Sequence, residues 1–571
     1  MTARVTETIP PTRSGTLSRL LWQRQLQHYP GTGRRFAYLA IAVLATIILY
    51  YELYLPSAVS PAIMAHYNMS FSTYVWITAL GNLLGAFASL VAGLADRWGR
   101  ANLVVYGLAV TGLLVLLAMP HAPNGLVFAL VFAAISFVEG IILVATPALV
   151  RDFSPQLGRA SAMGFWTLGP VAGSLLLSLI SSNTLDSLPD WRDQFTICGI
   201  TGLAMFVVAL FGLRELSPRL RDQLMVSLHD RVLIEAKAKG IDIEESLRRP
   251  WRQMMHVDIL GSAFAIAVFL IIYYTAVGFF PVYFTTLFGF SLADANGLGN
   301  WFWAADAIAL IAVGIVSDKA RVRKPFMVFG ALGTVAMTIV FLTRTSHPDT
   351  GYFTFAWIIS LLAVFTGITY APWMASFTET VERRNPALTA TGLAVWGWIV
   401  RVVVAVSIGV LPFVITSMSP LVEHGAQVQT LSQKYAAQLK TLAAVDPATQ
   451  AALSANPNDP AAATRAVGEI AAAEGVAPTE AIARLRAVAA VPAADLAYLK
   501  EHGSAVQQAA HDTPGQWQSW WWVCVGGEVV FLPLILVMAG RWSSRRARED
   551  IEAHEEQVRR ELAALRGEDQ A

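Results

Sequence analysis

The chain has little of what soluble enzymes and secreted modules depend on. It holds two cysteines, Cys198 and Cys524, each inside an apolar run, which excludes a disulfide-stapled secreted domain and a cysteine-cluster metal site. Charged residues make up 14% of the sequence, well below the roughly 25% usual in soluble domains. With 41 Lys and Arg against 40 Asp and Glu, no surplus of one sign exists to hold nucleic acid or to keep the chain unfolded. No nucleophile constellation, metal-ligand spacing or phosphate-cradling glycine loop occurs, so neither an enzyme nor a cofactor or metal is expected.

What the chain has is apolar length. A helix crosses about 30 Å of hydrocarbon with about 20 apolar residues, because each residue rises about 1.5 Å and the helix satisfies its own backbone. Twelve such runs occur, near 37–62, 71–94, 102–119, 125–150, 160–182, 194–213, 259–285, 293–316, 325–342, 352–375, 387–417 and 517–540. The loops are short except for a charged stretch at 214–258 and an Ala-rich stretch at 418–516. The even short loops carry Arg97, Arg100, Arg151, Arg159, Lys319, Arg321, Arg323, Lys324, Arg383 and Arg384, whereas the odd ones carry only Arg192 and Arg344. Positive loops stay in the cytoplasm, so both termini are expected there, in a multi-pass cell (inner) membrane protein. The basic segment 1–36 agrees, and the first run is expected to remain uncleaved.

A weak internal repeat divides these runs. Tyr50, Tyr51 and Glu52 match Tyr273, Tyr274 and Thr275; Asp96 matches Asp318; Gly164 and Gly169 match Gly392 and Gly397, all at offsets of 222 to 228 residues. The organisation expected is all-α: a helical bundle over 37–213, a linker with a helix over 214–258, helices 7–11 over 259–417, an extracytoplasmic helical insert over 418–516, helix 12 over 517–540 and a charged cytoplasmic tail over 541–571. Asp459 followed by Pro460, with Gly475 beyond, punctuates a helix inside the insert. That insert is expected to act as a lid, a docking module for a partner, or a spacer.

After run 2 the chain reads Ala92-Gly-Leu-Ala-Asp96-Arg97-Trp-Gly99-Arg100, and after run 8 Gly314-Ile-Val-Ser-Asp318-Lys319-Ala-Arg321. An acid between arginines can latch neighbouring helix ends by charge-assisted hydrogen bonds, while Gly99 allows a sharp turn. Asp96, Arg97, Gly99, Arg100, Asp318 and Arg321 are therefore candidate gating residues.

With twelve runs in two halves and this repeated turn, the chain resembles the major facilitator superfamily, whose signature here is G-x-L-x-D-R-x-G-R. Ala92 stands in place of the leading glycine. The resemblance implies twelve transmembrane helices in two pseudo-symmetric six-helix bundles, and solute transport by alternating access about a central cavity. Gly169-Pro170-Val-Ala-Gly173 is similar to a pattern of proton-coupled drug exporters, with Ser174 in place of its last glycine. Ser136 stands where the family usually has an arginine.

Charges buried in a bilayer need a partner, a water cavity or a neutral state. Glu52, Glu139, Asp306 and Glu528 are candidate proton-coupling residues, since a carboxyl in a low-dielectric site favours its protonated form. Glu52 and Asp306 lead, because their helices belong to opposite halves; the bland alternative, a packing hydrogen bond, weighs more for Glu139 and Glu528. Arg401, deep in run 11 with Trp398 three residues earlier, suits an anionic solute, or an ion pair with Asp306 or Glu52. Tyr51, Tyr274, Trp303 and Trp398 complete the candidate binding set, and Trp517, Trp520, Trp521 and Trp522 at one end of run 12, with Trp542 at the other, read as an interfacial belt. The function expected is a secondary transporter, proton-coupled, moving a small polar organic solute such as an organic anion through the lipid bilayer. Proton-exchange export of hydrophobic compounds and a non-transporting membrane sensor are the alternatives.

Overall fold

The computed structural model describes residues 22–88, 98–153, 158–217, 254–384, 389–456 and 459–538, with 220 and scattered positions between 542 and 556. Asp96, Arg97, residues 221–253 of the linker and most of the tail lie outside the described residues. A strand β1 (Gln25–Leu26) precedes α1 (Thr32–Ala58), α2 (Ser60–Tyr67), α3 (Phe71–Ala88), α4 (Arg100–Leu113, extended by a π turn at Leu114–Ala118), α5 (Gly125–Phe153), α6 (Gly158–Thr184) and α7 (Trp191–Gly212). Strand β2 (Glu215–Leu216) follows, then α8 (Val257–Phe269), α9 (Ile271–Phe288), α10 (Leu292–Ala320), α11 (Lys324–Arg344), α12 (Tyr352–Arg384) and α13 (Thr389–Val414). The remaining helices are α14 (Met418–Pro420), a π turn at Leu421–Gly425, α15 (Ala426–Lys434), α16 (Ala436–Ala443), α17 (Pro447–Ala455), α18 (Pro460–Glu474), α19 (Pro478–Ala489) and α20 (Ala493–Leu534).

Among the described residues, eleven helices or helix pairs are long and apolar enough to cross a membrane. The run expected at 160–182 is not among them. It forms α6, whose 27 residues would span about 40 Å, but Gly169, Pro170, Gly173, Ser174, Ser178, Ser181 and Ser182 dilute its apolar character. Those small residues let backbones approach: a Cβ at Gly169 would stand 2.7 Å from Thr46 Cγ2, and one at Gly173 would stand 2.6 Å from Tyr50 Cβ, both on α1. The glycine-proline pattern thus seats α6 against α1.

The turns follow local chemistry. The Asp190 side chain caps α7 by accepting from the Arg192 backbone N–H at 3.0 Å, and Ser291 caps α10 by accepting from Asp294 N–H at 3.0 Å. Gly289, at φ +66°, closes α9 in a conformation that costs glycine nothing. In the first half α1 packs on α5, α6 and α7; in the second, α12 packs on α10 and α11, and α20 on α8 and α11. The halves meet where α6 lies on α10 and α3 on α13.

Of the tryptophans expected in an interfacial belt, three of the four at the start of run 12 are core residues, while Trp542 is exposed. Trp517, Trp520 and Trp521 are fully buried, and Trp522 is exposed. Trp517 and Trp521 stack at 5.2 Å and meet Tyr283 edge-on, while Trp520 Nε1 donates to Thr275 Oγ1 at 3.1 Å. The cause is that α20 starts at Ala493 and passes through the expected boundary at 516/517 without a break, so these rings lie along a packed face and not at a helix end. The segment before them carries helices: Asp459 caps α18 and Gly475 ends it at φ +66°. Small apolar clusters around Ile470 and Tyr435 hold this segment together. Ser417 Oγ, 2.7 Å from Gln516 Oε1, ties it to the end of α13.

At the opposite end, where α1 begins, residues 22–26 form a clasp. β1 pairs in parallel with β2, Gln25 with Glu215 and Leu26 with Leu216. Glu215 reaches the start of α4, accepting from Arg100 N–H at 2.7 Å and Ala101 N–H at 3.4 Å, a carboxylate on the positive end of a helix dipole. The approach requires Gly99, at φ +88°, because a Cβ there would strike Glu215 Oε1. Arg24 is fully buried; it donates to Asn102 Oδ1 at 2.9 Å and to the Leu210 carbonyl. Burial pulls its guanidinium below the usual arginine range, partly offset by Tyr106 and Glu215. Removing the cap tests the clasp: Glu215→Ala should cost about 1–2 kcal/mol, seen as a lower unfolding midpoint in detergent, with Glu215→Gln losing less. An unchanged midpoint in Glu215→Ala would show that the contact carries no stability.

Candidate functional site

Helical geometry decides which side chains meet between the halves. Tyr50 and Tyr54 lie four residues apart on one face of α1, and their rings approach to 5.5 Å. Both are within electrostatic range of Arg401, as is Tyr274 on α9. Tyr51, one residue on and so about 100° round the helix, points elsewhere: it is fully buried beside Cys198 of α7. The tyrosine at the inter-half chamber is therefore Tyr50, with Tyr54, and not the expected Tyr51.

Arg401 stands midway along the 26-residue α13. Among the described residues its guanidinium makes no hydrogen bond or ion pair, so neither expected partner, Asp306 or Glu52, holds it. Trp398 is half exposed, at 51%, and makes no ring contact with Arg401 among the described residues. Trp303 does line the inter-half space. With Tyr54, Ser174, Ser178, Phe280 and Asn296 it borders a small crevice between the halves. Its indole meets Tyr273 edge-on at 5.1 Å. Tyr370, which the sequence reading overlooked, is also within electrostatic range of Tyr50, Tyr274 and Asp306.

The four acids divide into two kinds. Asp306, buried on α10, faces α12: a Cβ at Gly367 would stand 3.1 Å from its Oδ1. It has no hydrogen-bond or ion-pair partner among the described residues. Glu139, buried on α5, likewise has both carboxyl oxygens without a partner among the described residues. Among the described residues it makes no packing hydrogen bond. Glu52 does not face the other half. Its Oε2 accepts from Thr111 Oγ1 on α4 at 2.7 Å, and its Oε1 fills the space a Cβ at Gly202 would occupy on α7. Glu528 on α20 accepts from Thr338 Oγ1 on α11 at 2.7 Å, the kind of packing bond expected of it.

The candidate gates are partly visible. Asp96 and Arg97 lie outside the described residues, but Arg100 Nη1 pairs with Asp152 Oδ2 at 2.9 Å, joining α4 to α5. In the second copy Asp318 pairs at 2.7 Å with Arg323, not with Arg321, and Arg323 also reaches Glu379 at 3.1 Å. Arg321 instead ends α10 in the left-handed conformation, φ +55°, which turns its side chain away from the acid. Each of these pairs lies within one half. At the other end the halves are tied directly: Asn296 Nδ2 donates to the Ala58 carbonyl at 2.9 Å, Asn300 Nδ2 donates to Ser182 Oγ at 2.9 Å, and Trp76 meets Phe413 edge-on at 6.2 Å. The molecule is closed at the end where α13 leads into α14.

Comparison with known proteins places this geometry. A family model described as Major Facilitator Superfamily matches residues 42–422. An uncharacterized MFS-type transporter of Mycobacterium tuberculosis is 26% identical over 209 residues, 30% of this chain and 36% of that protein. A protein named probable anion transporter 3, chloroplastic, of Oryza sativa subsp. japonica is 24% identical over 261 residues, 43% of this chain and 47% of that one. The chain thus spans less than half the length of these curated relatives. Among solved structures, a bacterial homolog of the human lysosomal transporter Spinster, inward-facing and occupied, superposes with a TM-score of 0.54 at 15% identity, covering 88% of this chain and 97% of that one. A D-xylose-proton symporter superposes with a TM-score of 0.52 at 16% identity, covering 66% and 90%. At such identities the likeness is one of fold.

The two asparagine bonds make the closed end testable. One hydrogen bond contributes about 1 kcal/mol, so Asn296→Ala should shift the balance toward opening at that end about fivefold. Spin-label distances across the two halves at that end should lengthen in a larger share of molecules. An unaltered distance distribution would show that Asn296 does not hold the halves.

Proposed function

The chain belongs to the Major Facilitator Superfamily, and from that premise we propose that it is a secondary transporter that moves a small organic anion by alternating access, coupled to protons. One observation carries the substrate class: Arg401, a permanently charged group at mid-helix, has no protein counter-charge among the described residues and lies within electrostatic range of tyrosines from both halves. A guanidinium left unpaired at such depth is costly, and a carboxylate offers its planar fork two parallel acceptors. Tyr50, Tyr54 and Tyr274 can donate to the same solute, and Trp303 walls the crevice beyond them. The name of the rice relative points the same way.

Protons enter through the carboxyls. Asp306 and Glu139 have no partner among the described residues, and Glu52 has a single hydroxyl donor. An ionised carboxylate in such a place lacks the donors and counter-charge that offset its desolvation, so it is suited to hold a proton while it is buried. With both termini cytoplasmic, as the loop charges imply, the closed end faces outward, and this state receives or releases solute on the inside.

Uptake into proteoliposomes tests the reading. The native protein should accumulate mono- or dicarboxylates when a pH gradient is imposed, and Asp306→Asn or Glu52→Gln should abolish that accumulation. Arg401→Ala should weaken carboxylate binding at least tenfold, about 1.4 kcal/mol, with neutral solutes unaffected. Equal losses for neutral and anionic solutes would remove the anion assignment.

A further inference from the structure

The acid on α1 has a counterpart that its own repeat position does not reveal. The repeat pairs Glu52 with Thr275, so the second half carries no acid at that place on α9. Its acid comes from another helix. Thr111 of α4 matches Thr338 of α11, 227 residues on; Cys198 and Gly202 of α7 match Cys524 and Glu528 of α20, each 326 residues on, the larger offset absorbing the inserted segment. In the first half Glu52 reaches across to Thr111 at 2.7 Å and fills the room left at Gly202. In the second half Glu528, at the place of Gly202, reaches Thr338 at 2.7 Å, with Thr275 at the place of Glu52. The cysteines keep the same relation: Cys198 interacts with Tyr51 and Glu52, and Cys524 with Thr275 and Glu528.

The hydrogen-bond arithmetic is alike in the two places. Each carboxyl is buried, each has one oxygen on a threonine hydroxyl, and each leaves the other oxygen, Glu52 Oε1 or Glu528 Oε2, without a partner among the described residues. Among the described residues no arginine or lysine pairs with either. The titratable groups that interact with Glu52 are Tyr51 and Cys198 beside it and Glu139 from α5; the one that interacts with Glu528 is Cys524. Thr111 Oγ1 also lies 3.1 Å from the Gly107 carbonyl. A hydroxyl has one proton to give. A protonated Glu52 that donates to Thr111 leaves the Thr111 proton for the Gly107 carbonyl, whereas an ionised Glu52 takes that proton; Thr338 has no such second acceptor among the described residues, and what Glu528 shares with Glu52 is the buried carboxyl, the single threonine partner and the unpartnered second oxygen.

We infer that Glu52 with Thr111 and Glu528 with Thr338 are two equivalent proton-holding sites, one inside each half, built at the same pseudo-symmetric place from different helices. The inference deepens the proton-coupled reading and rests on it, adding that the second half has its own site at Glu528, apart from the chamber where Asp306 lies.

Moving the acids tests the equivalence. Glu52→Thr and Glu528→Gly should each reduce accumulation driven by a pH gradient at least tenfold. The double variants Glu52→Thr/Gly202→Glu and Glu528→Gly/Thr275→Glu, which give each half the other's arrangement, should return it to within about threefold of native. Well-folded double variants no better than the single ones, or a Glu528→Gly variant that accumulates like native, would overturn the inference. A readout that needs neither transport nor the transplants is the infrared band of protonated carboxyls in the purified protein: Glu52→Gln and Glu528→Gln should each remove a comparable part of it. Loss from Glu52→Gln alone would overturn the equivalence. A native protein that never accumulates solute would overturn the coupling reading, and the infrared bands would still decide the sites.

Discussion

A helix that crosses hydrocarbon satisfies its own backbone, but it does nothing for an ionisable side chain. That asymmetry orders this molecule. Arg401, Asp306 and Glu139 stand at mid-helix without a partner among the described residues, whereas Glu52 and Glu528 each have one threonine. Nearby surfaces are smoothed for close packing, by Gly169 and Gly173 against α1 and by Gly202 against the Glu52 carboxyl. Paired charged and amide groups stand at helix ends: the Glu215 cap on α4, the Arg323 pairs with Asp318 and Glu379, the Asn296 bond to Ala58. Satisfied ends define two bodies, and unsatisfied middles lie where a solute or proton can complete them.

The fold was legible because membrane crossing imposes length and apolarity directly on sequence. Eleven candidate spans fall on the expected runs, and the twelfth run forms α6. Side-chain direction was less legible. Tyr51 and Tyr50 differ by one position in sequence and by a hundred degrees in space, and only packed coordinates show that Tyr50 faces Arg401. Arg321 and Arg323 both follow Asp318, yet a left-handed turn at Arg321 gives the ion pair to Arg323. The tryptophans of α20 misled for a related reason: clustering of indoles marks an interface only when a helix ends there, and α20 does not. The strand pairing of Gln25 with Glu215 had no sequence signal, since two residues are too few for any periodicity.

The repeat was legible as a weak match of positions, and its exceptions carry the chemistry. Where both halves keep the same residue type, as at Thr111 and Thr338 or Cys198 and Cys524, the threonine and the thiol serve a similar pocket. Where they differ, at Glu52 against Thr275 and Gly202 against Glu528, the differences compensate, one acid and one small residue per pocket. A comparison column by column sees two mismatches, while a comparison of pockets sees one conserved composition. That is the behaviour of a polar site enclosed by several helices, which constrains what fills the space and not which helix supplies it.

The unbroken α20 extends this logic beyond the bundle. Its 42 residues would extend about 63 Å, so one helix carries Glu528 at one end and, near the other, Tyr498, whose hydroxyl lies 2.9 Å from His424 Nδ1 on the π turn that follows α14. A helix this long has no hinge except where its hydrogen-bond ladder is interrupted, and Pro514 stands at such a point. Tyr435 and Asp495, 2.7 Å apart, lie on the far side of it. The bonds of Ser417 to Gln516 and Thr513 hold the two ends of the inserted segment together beside α13 and α20, so the segment is anchored on elements of the second half, while the two halves themselves meet at the closed end through Asn296 and Asn300.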